Sequence, residues 1–84
     1  MLPNVEQVQL LLDNGADIEA TNALGRTPLH LAAMGNSRNV TKLLLERGAK
    51  FDITDQSGHT PQDLAAQYSH LDVVQILESW RGQN

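Results

Sequence analysis

The residues best suited by type to acid–base chemistry are His30 and Asp63, which hold equivalent places in two similar stretches of the chain. A catalytic site would also need a nucleophile, an oxyanion site and a pocket. The sequence supplies no recognisable arrangement of these parts. We therefore predict that the chain is not an enzyme and that it uses no cofactor.

Histidine spacing and the lack of cysteine argue against a metal site. His30, His59 and His70 do not follow the ligand spacings that are typical of metal sites, and the chain has no cysteine. Neither a disulfide framework nor a thiolate site can form. No bound metal is predicted.

The chain has 84 residues and a formal net charge of −4. It lacks the basic footprint that nucleic acid requires, and an acidic chain is unsuited to an anionic membrane surface. Apolar runs such as Leu10–Leu12 are too short for a membrane span or a secretory signal. These features favour an intracellular protein, cytoplasmic or nuclear, that binds neither nucleic acid nor membrane.

A seven-residue word organises the sequence. Residues 27–33 read TPLHLAA, and residues 60–66 repeat the word, altered, as TPQDLAA. Glycines at the same offset precede and follow the word, which indicates a repeat of about 33 residues. The chain resembles the ankyrin repeat family, whose signature is T-P-L-H-x-A at this period, from about Val5 to Leu77. In that family the histidine of the word is structural, so the resemblance implies that His30 bonds the threonine and a neighbouring loop.

The resemblance implies an all-α repeat solenoid of helix-turn-helix units joined by short β-hairpin loops. We expect one domain over residues 1–84. It would contain the second helix of a partial repeat (4–15), a full repeat (16–48) and a C-terminal capping repeat (49–81).

Short sequence patterns predict where the helices begin and end and where the turns lie. Thr27 and Thr60 each precede a proline, a pattern that predicts a helix N-cap, and Thr60 with Asp63 resembles a capping box. Asn36 is expected to end its helix in a left-handed conformation. Two type I turns are predicted, at Asn22–Gly25 and Asp55–Gly58.

The core is predicted to centre on Leu31 and Leu44 in the full repeat. Arg38 and Thr41 stand where second helices of the family usually carry apolar residues, so we expect them to weaken the packing. Trp80 extends the apolar face of the last helix. We expect it to pack there, with a partner contact as the alternative.

Separate predictions apply to the N-terminal and C-terminal ends of the chain. Pro3 and Asn4 are predicted to begin the first helix, which has no partner helix before it in the sequence. We therefore expect a part of a longer array, with an apolar face around Val5 and Val8 that is partly exposed and open to self-association. Residues 81–84 are expected to form a polar, frayed tail.

The function implied by the resemblance is protein–protein binding through hairpin tips and the concave face of the first helices. An alternative is a fragment of a regulatory or assembly subunit belonging to an enzyme, a channel or a ubiquitin-ligase adaptor. The predicted contact residues lie outside the apolar helix faces, so folding does not dictate their identity. They are Ala23, Leu24, Arg26, Met34, Gly35, Gln56, Ser57, His59, Gln67 and Tyr68.

Overall fold

The computed structural model describes residues 5–82. They form five helices: α1 (Val5–Asp13), α2 (Pro28–Met34), α3 (Arg38–Glu46), α4 (Pro61–Gln67) and α5 (Leu71–Gly82). The predictions for Pro3 and Asn4 lie outside this range. Within it, no helix has the length and apolar character needed to cross a membrane. The division at residues 15/16 and 48/49 stays a prediction.

The threonine caps begin α2 and α4 as the sequence predicts. The side-chain oxygen of Thr60 accepts a hydrogen bond from the backbone N–H of Asp63 (3.1 Å), and Asp63 Oδ2 accepts one from the backbone N–H of Thr60 (3.0 Å). Thr27 caps α2 in the same reciprocal way, with the ring of His30 replacing the carboxylate. Each cap satisfies backbone donors that the first helical turn leaves unpaired.

Left-handed residues follow the two first helices. Asn36 has a φ of 56°, as predicted, and Ser69 has a φ of 60° at the equivalent position. This conformation turns the chain sharply, so that α3 and α5 each run back along the helix before them. α1 and α3 are followed by Gly15 and Gly48 with φ of 91° and 92°, where a residue without a Cβ is favoured.

The predicted β-hairpin loops are turns without strands in the described range. Each turn is closed by a short backbone pair. Asn22 N–H donates to the carbonyl of Arg26 (3.0 Å), and Asp55 N–H donates to the carbonyl of His59 (2.9 Å). The ladder does not continue beyond this pair, so the chain forms compact tips at these points.

The helices stack in two rows. α2 packs on α4 in one row, and α1, α3 and α5 pack in that order in the other. Between the rows lies one apolar cluster to which all five helices contribute. Its buried members are Val8, Leu29, Ala32, Ala33, Val40, Leu44, Leu45, Ala49, Ala65, Val73 and Leu77.

The prediction for the core is confirmed for Leu44 and wrong for Leu31. Leu44 is fully buried, whereas Leu31 is only partly buried, and Leu29 lies at the centre instead with 1% of its surface exposed. Leu29 belongs to the buried cluster, whereas Leu31 lines a small open groove together with Val8 and Val40. Hydrophobicity alone does not distinguish the two leucines.

The polar residues of α3 do not weaken the packing as expected. Thr41 is fully buried, and its hydroxyl donates to the carbonyl of Ser37 (2.8 Å) one turn earlier. A buried hydroxyl with a partner costs little. Arg38 points to solvent and pairs with Asp72 of α5 (2.9 Å), an exposed pair of small energetic weight.

The apolar face of α1 is partly exposed at Val5, as expected, but not at Val8, and the larger exposure lies at other residues of the helix. Val8 is buried and Val5 is half-buried against the core cluster. The exposed apolar residues are Leu10 (63%) and Leu11 (56%). The prediction for Val8 was wrong because α1 packs on α3 and places Val8 in the apolar cluster between the helices.

The C-terminal helix continues further than the sequence indicates. α5 includes Arg81 and Gly82, which had been assigned to a frayed tail. Arg81 donates to the side chain of Gln62 (3.1 Å), and its guanidinium lies 5.9 Å from the ring centre of Phe51. Trp80 packs, partly buried, against the core cluster as expected.

Candidate partner-binding surface

The first turn tip is built around Asn22. Its side-chain oxygen accepts the backbone N–H groups of Leu24 (2.9 Å) and Arg26 (3.1 Å). The backbone N–H of Gly25 donates to the carbonyl of Asn22 (2.9 Å), and Gly25 has a φ of 75°. The side-chain bonds fix the tip and leave the side chain of Leu24 half exposed.

Asp55 performs the same task in the second tip. Its Oδ1 accepts the backbone N–H groups of Ser57 (2.9 Å) and His59 (3.0 Å). Asp55 is 6% exposed. The pKa of its carboxyl lies below the ordinary value, chiefly through the His59 N–H bond and further through Arg26 and Ser57, while burial opposes the shift.

The two tips are joined directly. The backbone N–H of Gln56 donates to the carbonyl of Leu24 (3.0 Å), and Arg26 Nε lies 3.2 Å from Asp55 Oδ2. A Cβ placed on Gly25 would lie 3.1 Å from the backbone N of Gln56. The close approach therefore favours glycine at position 25 for its size as well as for its positive φ.

His30 ties the tips to the helices below them. Its Nδ1 accepts the backbone N–H of Thr27 (3.0 Å), so the proton of the neutral ring is placed on Nε2, which donates to the carbonyl of His59 (2.9 Å). The ring is fully buried. The structural role implied for His30 is confirmed.

The second part of the surface lies where α2 and α4 end. Met34 is partly buried, while Gln67 and Tyr68 are exposed. The rings of Tyr68 and His70 stack with their centres 6.0 Å apart. His70 Nδ1 lies 3.0 Å from the carbonyl of Ala33, so the ends of the two helices are also linked by a side chain.

The predicted contact residues thus fall into two groups at opposite ends of α2. The tip group is Ala23, Leu24, Arg26, Gln56, Ser57 and His59, and the helix-end group is Met34, Gly35, Gln67 and Tyr68. α2 has seven residues and is therefore about 10 Å long. We define these two groups together as the tip surface. A single partner segment can reach across it.

Sequence reasoning missed two residues that hold this surface. Asp55 was assigned only to a turn, although it lies at the centre of the junction between the tips. Glu19 Oε2 accepts the backbone N–H of Lys50 (2.9 Å) and connects the loops behind the tips. The signal for Asp55 was its equivalence to Asn22, since both types cap turns in this way.

The other grooves and side-chain groups of the described residues are weaker candidates for a binding site. Trp80 borders two open grooves of about 570 and 720 Å³, one between α3 and α5 and one beside the loop at residues 48–53. Half of the residues that line the first groove are charged, and two of them, Arg38 and Asp72, pair with each other. Residues 5–82 contain no group of three or more side chains placed to hold a metal ion.

The repeated helix pairs, the threonine caps and the linked tips define a helical repeat protein. The family model for ankyrin repeats, in three copies, matches residues 2–83. The chain belongs to the ankyrin repeat family, as its sequence word indicates. A comparison with curated proteins gave no match. Domains of this family are generally protein–protein interaction modules.

Proposed function

We propose that this chain is a non-catalytic interaction module that binds a partner protein through the tip surface. The observation that supports this most is the exposure of Leu24 (50%) and Tyr68 (49%) on segments that the backbone bonds hold rigidly. A rigid surface loses little conformational entropy on binding. Large apolar side chains presented in this way are suited to contacts at the centre of an interface.

The chemistry of the tip surface defines the partner's side of the contact. Leu24, Met34 and Tyr68 provide apolar area, and Gln56 and Gln67 provide amide donors and acceptors beside it. Arg26 is largely committed to Asp55 and has a side-chain exposure of only 20%. The surface therefore favours a partner with an apolar patch bordered by hydrogen-bonding groups over a strongly charged partner.

The remaining parts of the proposal depend on the family and on composition. We place the protein inside the cell, in the cytoplasm or the nucleus. Service as part of a regulatory or assembly subunit is the alternative, and it uses the same surface. Self-association through α1 would use a part of the molecule other than the tip surface and is a separate proposal.

The test compares variants that should differ in binding and not in folding. Leu24→Ala with Tyr68→Ala removes the two exposed anchors, while Leu71→Ala removes a leucine that is 67% exposed on α5. Proteins captured by both the unaltered chain and the control, and lost by the double variant, are partner candidates. Calorimetry with a purified candidate should then give a ten-fold or greater loss of affinity.

The melting temperatures of the three proteins provide the folding control. They should agree closely, since all three side chains are exposed. Equal affinity of the double variant and the unaltered chain for a purified partner would place the binding site elsewhere, with the surface beside Trp80 as the next candidate.

A further inference from the structure

One ring nitrogen of His59 is shielded from water by the fold without receiving a hydrogen-bond partner. His59 Nδ1 and Glu19 Oε1 are the two buried side-chain atoms of residues 5–82 that make no hydrogen bond. His59 Nδ1 lies 3.7 Å from Asp55 Oδ1. That separation is longer than a hydrogen bond. An unpaired ring nitrogen held beside a carboxylate is in place for an ion pair once the ring is protonated.

The Asp55 carboxylate can accept this further donor. It accepts three hydrogen bonds, from the backbone N–H groups of Ser57 and His59 and from Arg26 Nε. A carboxylate has about four acceptor sites, so the described residues leave one of them open. The pKa of Asp55 is lowered, chiefly by the backbone N–H of His59. The carboxylate is therefore charged throughout the range of about pH 5 to pH 8 in which histidine changes its charge.

The two tips differ in the cation that they place at one equivalent position. Arg26 and His59 lie one repeat period apart, as Asn22 and Asp55 do. Arginine is charged at every physiological pH, whereas histidine gains its charge only as the pH falls from about 8 to about 5. Because both side chains lie beside the Asp55 carboxylate, one cationic partner of that carboxylate is permanent and the other depends on pH.

We propose that His59 is a pH-sensitive switch of the tip surface: its protonated ring pairs with Asp55 and holds the second tip more firmly as the pH falls below neutral. The pairing needs Nδ1 to move about 1 Å toward the carboxylate, to the ~2.8 Å of a charge-assisted hydrogen bond. Because 42% of the His59 side chain is exposed, the ring can take up a proton from water. The tip group then carries one additional positive charge.

Two other titratable side chains contact the backbone around residue 59. His30 in α2 donates from Nε2 to the carbonyl of His59 (2.9 Å), and Asp63 in α4 accepts the backbone N–H of Thr60 (3.0 Å). Neither contact involves the His59 ring. Protonation of the buried His30 would remove the acceptor that holds the backbone N–H of Thr27, which destabilises the fold in acid. The two histidines act in opposite directions, so His59 has to be tested by substitution as well as by pH.

The consequence for binding rests on the proposed function of the tip surface. His59 belongs to the same tip group as Leu24 and Gln56, so its charge adjoins the apolar area offered to a partner. A partner with a carboxylate facing residue 59 should bind more tightly at about pH 6 than at about pH 8. The switch itself lies within this chain and can be measured without a partner.

Urea unfolding of the 84-residue chain and of His59→Gln tests the switch, because glutamine is polar and cannot take a charge. From about pH 8 to about pH 5.5, the folding equilibrium constant of the unaltered chain should rise about two-fold or more relative to that of His59→Gln. The bond from His30 uses the backbone carbonyl of residue 59, so the titration of His30 cancels in the comparison. In an Asp55→Asn background the same substitution should show no such gain. Far-ultraviolet circular dichroism checks that the variants keep the fold.

Nuclear magnetic resonance of the His59 ring gives a second readout, which does not depend on the stability of His59→Gln. The ring signal of His59 should keep its protonated position to a higher pH in the unaltered chain than in Asp55→Asn. Equal titration midpoints in these two proteins, or an equal stability gain with and without the Asp55 carboxylate, would overturn the proposal. Neither result bears on the tip surface as a binding site, which is tested separately at Leu24 and Tyr68.

Discussion

Arg26 Nε lies 3.2 Å from Oδ2 of Asp55, a residue 29 positions later in the chain. The contact joins the two turn tips through side chains, beside the backbone bond that joins Gln56 to Leu24. Because the carboxylate also holds the N–H groups of its own turn, Asp55 orders both tips together. Hydrogen bonds and an ion pair therefore hold the two tips in one arrangement.

Substitution at Asp55 should separate the two tasks of this side chain. Asp55→Asn keeps an oxygen for the N–H groups of Ser57 and His59, as Asn22 does in the first tip, and loses the charged pair with Arg26. Asp55→Ala loses both. Thermal melts should therefore rank the unaltered chain above Asp55→Asn, and Asp55→Asn above Asp55→Ala. Equal melting temperatures for the two variants would show that the turn does not need the acceptor.

The pH dependence of stability should report the Asp55 carboxylate. Its pKa is lower in the folded chain than the ordinary value of 3.8, chiefly because the backbone N–H of His59 bonds the charged form. A lowered pKa stabilises the fold above the unfolded value, and this contribution is lost as the pH falls through the folded value. Once the pH has fallen below the lowered folded pKa, the protonated carboxyl should resemble the amide of Asn.

The measurement is denaturant unfolding of the unaltered chain and of Asp55→Asn between about pH 2.5 and pH 7. The unaltered chain should be the more stable at neutral pH, and the difference between the two should shrink as the pH falls through the folded pKa of Asp55. Other acids titrate in both proteins and cancel in the difference. A difference that stays constant over this range would contradict the role of the charge.

Truncations in the core should rank by burial. Leu29→Ala and Leu44→Ala remove fully buried side chains and should each cost roughly 2–5 kcal/mol of unfolding free energy. Leu31→Ala removes a partly buried side chain beside an existing groove and should cost about 1 kcal/mol in the monomer. Urea unfolding at low protein concentration checks the order. A loss at Leu31 as large as that at Leu29 would mean that α2 packs differently.

The sequence predicted what depends on local chemistry. The helix starts at Thr27 and Thr60, the left-handed residue Asn36 and the two turn positions follow from the bonds that these residue types make within four positions of themselves. The stacking of equivalent helices in rows also follows from the 33-residue period. These features need no knowledge of distant contacts.

The predictions that were wrong depended on contacts between repeats. Leu29 and Leu31 are equally apolar, and only the packing of the helices decides that Leu29 is the more buried of the two. Thr41 appeared unfavourable because its bond to the Ser37 carbonyl is not visible in a hydrophobicity pattern. The link of Arg26 to Asp55 was missed because it became evident only when the two tips were seen together. The list of contact residues itself stays a prediction.

Ser69 is the residue at which one substitution should stabilise the chain. It has a φ of 60°, a conformation that costs a residue with a Cβ roughly 1–2 kcal/mol. Its side chain is exposed, so little packing is lost when it is removed. Ser69→Gly should therefore raise the free energy of unfolding by about 0.5–1 kcal/mol, the conformational gain being partly offset by the greater freedom of glycine in the unfolded chain.

Ser79→Gly is the matched control, because it makes the same chemical change inside α5, where the side chain is also exposed. Glycine within a helix is unfavourable, so this variant should lose about 0.5 kcal/mol relative to the unaltered chain. Urea unfolding of the three proteins should place Ser69→Gly highest and Ser79→Gly lowest. If both variants lose stability alike, the turn between α4 and α5 does not carry the conformational cost that its positive φ implies.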